Sequence, residues 1–155
     1  MSSVVSRTVE VCVFKRGAEG PRYLLLRRSE TESLYPGMWQ LVTGSMHEGE
    51  HAAKAAQREF QEETGLSSRR FWVVPFVNSF YVASNDTVHI SPFFAVEVDS
   101  QDQVRLSHEH QEFAWCTLEE ADKRLVWPGQ RQGVQIVHDY IVGGQEASRL
   151  LSLSV

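Results

Sequence analysis

The 155-residue sequence contains little cysteine and no long apolar segment. Its two cysteines, Cys12 and Cys116, lie far apart in apolar-rich stretches, so small buried side chains are favoured over a disulfide. No run of about 18 apolar residues predicts a membrane-spanning helix, and residues 1–15 lack the apolar stretch of a signal peptide. These absences predict a cytoplasmic protein with no membrane partner.

The sequence also lacks a long basic run. Its formal net charge is −5 and its pI is about 5.7, with basic residues in short pairs such as Arg27–Arg28. A protein that grips polymeric nucleic acid through its phosphates carries a basic patch or stripe. The composition therefore argues against a polymeric nucleic-acid partner. It leaves a small phosphorylated ligand open, because a bound metal can supply the positive charge.

The segment HEGEH at 47–51 matches H-E-x-x-H, the signature of zinc peptidases. Two histidines spaced in this way bind one zinc only if they share a face of a helix. Gly49 in the middle disfavours a helix, and the preceding VTGS at 42–45 is typical of a strand that runs into a loop. A zinc peptidase is therefore a poor interpretation of this segment.

Alternating apolar residues and turn signals predict a strand-rich domain. The predicted strands cover 8–14, 23–28, 38–43, 71–77, 79–84, 88–98 and 112–118, with a hairpin turn at 85–87. No internal repeat or low-complexity linker interrupts the chain. Mixed strands and helices in 155 residues predict one α/β (or α+β) domain, with its layers packed on a mixed sheet.

Two or three helices are predicted between and after these strands. Residues 50–64 are the strongest candidate because they are rich in Ala, Glu, Gln, Lys and Arg. Thr117 and Glu120 fit a capping box that opens a short helix, and 131–142 form a last helix after the break at 127–129. The tail after about residue 145 is not assigned.

Three carboxylates share one face of the strongest predicted helix. Glu59, Glu62 and Glu63 stand at i, i+3 and i+4, with Arg58 beside them to orient one carboxylate. A solvated acidic face is the ordinary alternative. Small alanines one and two turns earlier on the same stripe favour a packed helix instead. Carboxylate oxygens gathered in this way are the ligands that Mg²⁺ or Mn²⁺ prefers.

The whole stretch 44–66, GSMHEGEHAAKAAQREFQEETGL, resembles the Nudix box, with every defining position filled. On this resemblance, HEGEH at 47–51 forms the loop and the first helical turn of the box, and its match to H-E-x-x-H is incidental. The resemblance implies a Nudix-type α/β/α sandwich. It also implies a hydrolase that cuts a nucleoside diphosphate linked to another group, with divalent metal bound by the loop and helix of the box.

The resemblance carries roles over to matching positions of this sequence. The implied metal ligands are Glu59, Glu62, Glu63 and the carbonyl of Gly44. Arg58 would hold a carboxylate in place, and Glu50 would support the loop or touch metal through water. Mg²⁺ is the expected ion, with Mn²⁺ possible. Water would attack phosphorus, and the chain offers no Ser or Cys nucleophile for a covalent route.

One further carboxylate is predicted from outside the box. Glu109, in VRLSHEHQEFAW at 104–115, is the candidate, either as a metal ligand or as a general base. A solvated loop glutamate is the alternative. The flanking His108 and His110 can bind metal themselves, but exposed loop histidines are commoner. With Glu109, the predicted catalytic set consists of Arg58, Glu62, Glu63 and Glu109.

Two regions outside the predicted helix suggest different substrates. Residues 105–121 are similar to asymmetrical diadenosine tetraphosphate hydrolases, which give ATP and AMP, whereas residues 38–50 resemble dihydroneopterin triphosphate (dATP) pyrophosphohydrolases. The tetraphosphate hydrolases usually carry a Pro-Lys-Gly-His-like segment where this chain has VTGS at 42–45. A nucleoside or pterin triphosphate cut to monophosphate and pyrophosphate is therefore favoured. A non-catalytic nucleotide-binding module is a third hypothesis, which the intact box disfavours.

Substrate contacts outside the carboxylates are predicted from residue type alone. Arg27 and Arg28 end a strand near the predicted loop, where one can meet a phosphate, although a surface ion pair is equally plausible. Aromatic side chains can stack on a base or pterin ring but are more often core. The candidates for that role are Trp39, Phe80, Tyr81 and Trp127. The sequence does not distinguish a monomer from a homodimer.

Overall fold

The computed structural model describes residues 1–154 of the chain. Within these residues, nine strands form one sheet: β1 (Ser3–Val5), β2 (Thr8–Gly17), β3 (Gly20–Arg28), β4 (Trp39–Gln40), β5 (Val42–Ser45), β6 (Arg70–Val82), β7 (Thr87–Glu97), β8 (His110–Cys116) and β9 (Ser152–Leu153). The helices are α1 (Ala52–Thr64), α2 (Leu118–Arg124), α3 (Pro128–Ile136) and α4 (Gln145–Leu151). A π-helical segment, Val137–Val142, continues α3.

The sheet is mixed, as predicted. Its central path runs β4-β3-β2-β7-β6-β9, with β8 added on β3, β5 on β2 and β1 on β7. The β1–β7 and β2–β7 pairs are parallel, and the other pairs are antiparallel. Strand β3 pairs with β2, β4 and β8, so its carboxyl end at Arg28 is held between two neighbours.

Each face of the sheet carries its own apolar core. Alternate residues of β2 point to opposite sides: Val9, Val11 and Val13 pack with Phe60 of α1, while Cys12 and Phe14 pack toward α2 and α3. This period-two division is the one expected of a strand buried on both faces. Helices cover both sides, which confirms the predicted α/β/α sandwich.

The structure corrects several predicted strand boundaries. The two strands predicted at 71–77 and 79–84 are one strand, β6, because Asn78 is buried and its side-chain amide donates to Glu10 at 2.8 Å. The predicted strand 38–43 is divided at Leu41 into β4 and β5, which pair with different strands. The hairpin turn predicted at 85–87 lies at 83–86, where Asp86 has φ +52°.

Helix ends also differ from the sequence expectation. Helix α1 begins at Ala52, two residues later than predicted, because Gly49 lies in a turn with φ +74°. Helix α3 begins at Pro128, three residues earlier than predicted, since proline suits the first turn of a helix. The capping box of Thr117 and Glu120 is present at α2 as expected. The unassigned tail forms α4 and β9.

None of the helices within residues 1–154 is long and apolar enough to span a membrane.

The two cysteines give a test of the core. Cys12 and Cys116 are free and buried, with exposures of 0% and 1%, and burial raises the pKa of both thiols. We expect neither thiol to react with a thiol-specific reagent in the native protein, and both to react in denaturant. Labelling followed by mass spectrometry measures this, and rapid native labelling of either residue would contradict the packing.

Candidate active site

Helix α1 presents its carboxylates along an edge between buried and exposed surface. The helix packs on the sheet through Ala55, Ala56 and Phe60 and ends at Gly65, which has φ +67° and donates its N–H to the Gln61 carbonyl. The exposed fraction of the three glutamate side chains therefore differs greatly. It is 14% for Glu59, 57% for Glu62 and 2% for Glu63, the last value being for the whole residue.

Arg58 connects the carboxylates to the loop that precedes the helix. Its Nε and Nη2 donate to the two carboxylate oxygens of Glu50 at 2.9 and 2.8 Å, a bidentate pair. Its Nη1 donates to Glu59 at 2.8 Å and to Glu62 at 3.3 Å, and Nη2 also donates to the Ser45 carbonyl at 2.9 Å. One guanidinium thus holds three acidic side chains and the end of β5.

Gly44 leaves room for one of these carboxylates. A Cβ atom built on Gly44 would overlap the side chain of Glu59, so only glycine fits here. Burial raises the pKa of Glu59, and the adjacent Arg58 partly opposes this shift. The end of β5 and the middle of α1 are therefore in direct contact at the predicted metal site.

Glu63 is the most deeply buried acid of the helix. Its Oε2 atom is buried and has no hydrogen-bond partner. Burial, together with the neighbouring Glu59 and Glu109 carboxylates, raises the pKa of Glu63 to about 9. A hydrogen bond from the backbone of Thr43 and the charge of Arg28 act in the opposite direction. The pocket around Glu63 is thus a place where a cation would be stabilised.

The structure brings Glu109 to this pocket from a different part of the chain. The loop before β8 is fastened to the end of β3, because Ser29 donates its N–H to the Glu109 carbonyl at 2.9 Å and its Oγ to the His108 carbonyl at 2.8 Å. One ligand atom each of Glu63, Glu109 and His110 lies within 4.8 Å of the others. These are residues that sequence spacing alone does not bring together.

His110 differs from the sequence expectation. It is not an exposed loop histidine but a buried residue, 4% exposed, at the start of β8, whereas His108 is exposed. Its ring Nε2 lies 2.9 Å from the side-chain nitrogen of Gln40, and its Nδ1 has no hydrogen-bond partner. Burial, together with the charge of Arg28, lowers the pKa of His110 to about 4. Sequence reasoning missed Gln40 altogether.

The two arginines at the end of β3 have different surroundings. Arg27 pairs with Glu112 at 3.2 Å and with Glu30 at 3.6 Å, and its Nε donates to the Gly37 carbonyl at 3.0 Å. This matches the ion-pair alternative. Arg28 is also in an ion pair, with Glu32 at 3.4 Å, and it donates to the Leu34 carbonyl at 2.7 Å. Unlike Arg58, it makes no hydrogen bond to the carboxylates of α1 among the described residues, but its charge acts on Glu63 and His110.

Three of the candidate aromatic residues, Trp39, Phe80 and Tyr81, have partners other than the carboxylates of α1. Trp39 packs against the core on the face opposite α1, with Arg124 4.8 Å from its ring centre. Tyr81 is exposed and donates its hydroxyl to Asp86 near the β6–β7 turn, and Phe80 stacks on His89. The partners of these three aromatic residues are therefore Arg124, Asp86 and His89, and none of these is a carboxylate of α1.

Trp127 has a partner that sequence reasoning missed. Its ring meets Tyr35 edge-on at 5.3 Å, and both side chains are substantially exposed. Tyr35 has φ +48°, in a loop whose length and polarity gave no signal of an aromatic pair. This is an apolar surface on which a planar ring can lie.

The segment that matches H-E-x-x-H is not helical. Gly49 has a left-handed backbone, and His47 and Glu48 precede the first turn of α1. The backbone N–H of His47 donates to Glu50 at 2.8 Å, so the segment folds as the loop that Arg58 holds. The structure agrees with the rejection of a zinc peptidase.

A family model described as the NUDIX domain matches residues 6–136. The chain belongs to the Nudix family. The match covers both sides of the box and includes the carboxylates of α1, Glu109 and α3. The chain is accordingly a Nudix hydrolase.

Two relatives illustrate what this Nudix hydrolase is similar to in sequence. It is 36% identical over 136 residues to a Myxococcus xanthus protein named octanoyltransferase; the match covers 83% of this chain but 36% of that protein. The chain thus spans about a third of that relative, whose name describes the whole protein. It is 28% identical to the asymmetrical bis(5'-nucleosyl)-tetraphosphatase of Caenorhabditis elegans, over 77% of this chain and 85% of that one.

Two solved structures share the fold. A diadenosine tetraphosphate hydrolase of Caenorhabditis elegans, in a binary complex, superposes with a TM-score of 0.73 at 23% identity, covering 90% of this chain and 98% of that one. The dihydroneopterin triphosphate pyrophosphohydrolase of Escherichia coli gives a TM-score of 0.68 at 23% identity, covering 91% and 99%. At this identity the likeness establishes the sandwich fold.

The contact at Gly44 predicts the effect of one added methyl group. In Gly44→Ala the new Cβ overlaps Glu59, so the carboxylate must leave Arg58 or the end of β5 must move. We expect the free energy of unfolding to fall by about 1–3 kcal/mol, as for other overpacked sites. Urea denaturation measures this, with Ser45→Ala as the control. Equal stability of the two variants would contradict the close approach.

The Glu50–Arg58 pair predicts a pH dependence of stability. Hydrogen bonds from Arg58, with that from the His47 backbone, lower the pKa of Glu50 from 4.5 to about 2. A lowered folded-state pKa adds stability above pH 4.5 that is lost as the pH falls toward 2.

We therefore expect the difference in unfolding free energy between wild type and Glu50→Gln to shrink over this range. Chemical denaturation in a chelator at several pH values tests it. Glu48→Gln, which removes an exposed carboxylate two residues away, controls for charge alone. A difference that does not change with pH would contradict the role of the pair.

Proposed function

We propose that the enzyme hydrolyses a nucleoside triphosphate (dATP-like) or dihydroneopterin triphosphate to a monophosphate and pyrophosphate, with Mg²⁺ as cofactor and Mn²⁺ as a substitute. The observation that carries this proposal is that Glu63 and Glu109, which are distant in sequence, lie within 4.8 Å of each other beside the other acids of α1. Glu63 is buried with an unpartnered oxygen, and a lone buried carboxylate is costly unless a cation or proton compensates it.

The donor set fits a hard divalent ion. The side chains that would hold it are Glu59, Glu62, Glu63 and Glu109, with the Gly44 carbonyl as a further donor. All are oxygen donors, the type that Mg²⁺ and Mn²⁺ take together with water and substrate phosphates. When bound, the ion would offset the charge of the phosphate oxygens.

The residues around the ion would orient its ligands and bind the phosphate of the substrate. Glu62 is the most exposed acid of α1, so as a ligand it would hold the ion on the side that faces substrate and water. Arg58 orients Glu62 and Glu59 through its Nη1 hydrogen bonds. Arg28, at the end of β3, is the nearby cation for a phosphate oxygen of the substrate. No covalent intermediate with the protein is needed.

The segment 42–45 supports the triphosphate over a dinucleotide. Its sequence is VTGS, similar to the dihydroneopterin triphosphate pyrophosphohydrolases, where tetraphosphate hydrolases usually have a Pro-Lys-Gly-His-like sequence. The second candidate is asymmetrical hydrolysis of diadenosine tetraphosphate, which the similarity to the Caenorhabditis elegans enzyme favours. The exposed pair of Tyr35 and Trp127 would accept the ring of either substrate.

Product analysis tests the proposed function. The native enzyme is incubated with Mg²⁺ and, in turn, dATP, other nucleoside triphosphates, dihydroneopterin triphosphate and diadenosine tetraphosphate. We expect monophosphate and pyrophosphate from a triphosphate. We expect Glu62→Gln to lower the rate by about 100-fold or more, because it removes a ligand of the ion, without loss of fold. Glu48→Gln, an exposed neighbour, should retain the native rate.

Each result has a distinct meaning. ATP and AMP formed from the dinucleotide alone would move the assignment to the second candidate. A native rate in Glu62→Gln would refute the role given to that side chain. Binding of nucleotide without any product would indicate a sensing module instead of an enzyme of this specificity.

A further inference from the structure

Two buried polar atoms without partners belong to residues of the same small cluster. Among residues 1–154, the buried side-chain atoms that lack a hydrogen-bond partner are Glu63 Oε2, His110 Nδ1 and Gln130 Oε1. The residues of the first two, Glu63 and His110, form with Glu109 a group that offers one ligand atom each within 4.8 Å of one another. A polar atom buried without a partner is costly, and a shared bound ion would satisfy both residues at once.

The ligand atoms of the cluster are nearly close enough to surround one ion. Ligand atoms about 2.0–2.2 Å from a metal are about 3–4.4 Å from one another. Those of Glu63, Glu109 and His110 lie within 4.8 Å of one another, and the three residues come from α1 and the start of β8. The cluster offers two kinds of donor, namely two carboxylate oxygens and one imidazole nitrogen.

Gln40 holds the imidazole from its other side. The side-chain nitrogen of Gln40 lies 2.9 Å from His110 Nε2, and both residues are buried. The amide oxygen and nitrogen are of similar size, so a half-turn of the amide would put the oxygen in this place, where it accepts Nε2–H. The neutral imidazole then keeps its lone pair on Nδ1, the arrangement in which metal-bound histidines are usually held by a neighbouring acceptor.

We propose that His110 is a nitrogen ligand of the metal site, oriented by Gln40, and that the site therefore binds Mn²⁺ more tightly than Mg²⁺. An imidazole favours transition ions, whereas Mg²⁺ prefers oxygen donors alone. The inference rests on the proposed function in placing a metal at Glu63 and Glu109. It goes beyond that function by naming the ligand and the preferred ion.

Pulsed electron paramagnetic resonance of Mn²⁺ bound to the native protein tests the nitrogen ligand directly. We expect a coupling from a directly bound nitrogen that changes when histidine is labelled with ¹⁵N. The coupling should disappear in His110→Leu and persist in the matched variant His108→Leu, which removes the exposed histidine two residues away.

Calorimetric titration gives a second, independent readout. We expect His110→Leu to weaken Mn²⁺ binding by roughly tenfold or more and Mg²⁺ binding by less, as loss of a group in a metal's ligand shell does. His108→Leu should leave both affinities unchanged. If His110→Leu fails to fold, the spectrum of the native protein still decides the question.

The outcomes separate this inference from the function on which it rests. Nitrogen coupling without hydrolysis of any triphosphate would leave His110 as a ligand and refute the proposed reaction. Hydrolysis with Mn²⁺ held by oxygen alone would refute the ligand assignment and leave the reaction. Failure of Mn²⁺ to bind would overturn the inference as well.

Discussion

The guanidinium of Arg58 is the contact on which the site depends. Carboxylates at neighbouring helix positions repel one another, and burial near the sheet makes this repulsion stronger. Arg58 offsets it by binding Glu50, Glu59 and Glu62 with one rigid fork and by fastening the loop to the end of β5. Lysine has the charge but not the planar set of donors, so it cannot make these contacts together.

Glu63 is the acid of α1 that Arg58 does not contact. This acid points into the pocket formed by β5, the start of β8 and the end of β3, where Thr43 and Arg28 give it partial support. The sheet supplies the rest of the site because β3 pairs with both β4 and β8. Gln40 on β4 and His110 on β8 thereby flank β3, and their side chains meet across it.

The sequence predicted those parts of the site that depend on local spacing. The arc of Glu59, Glu62 and Glu63 follows from helical periodicity, and the likeness to the Nudix box named their partners. His110 was expected to be exposed because its flanking residues are polar. It is instead buried and bonded to Gln40, which lies across β3 and is 70 residues away in the chain. Likewise β6 continues past the predicted break because buried Asn78 bonds to Glu10, a contact that no local pattern contains.

The loop between β3 and β4 is joined to the sheet by two kinds of contact. Arg27 pairs with the Glu30 side chain and binds the carbonyl of Gly37, and Arg28 pairs with the Glu32 side chain and binds the carbonyl of Leu34. A carbonyl is the same whatever side chain its residue carries, so the end of the loop that contains Tyr35 can change in sequence while these carbonyl contacts persist. In the proposed function, the surface for the ring and the acids that hold the ion therefore lie on segments that can change separately.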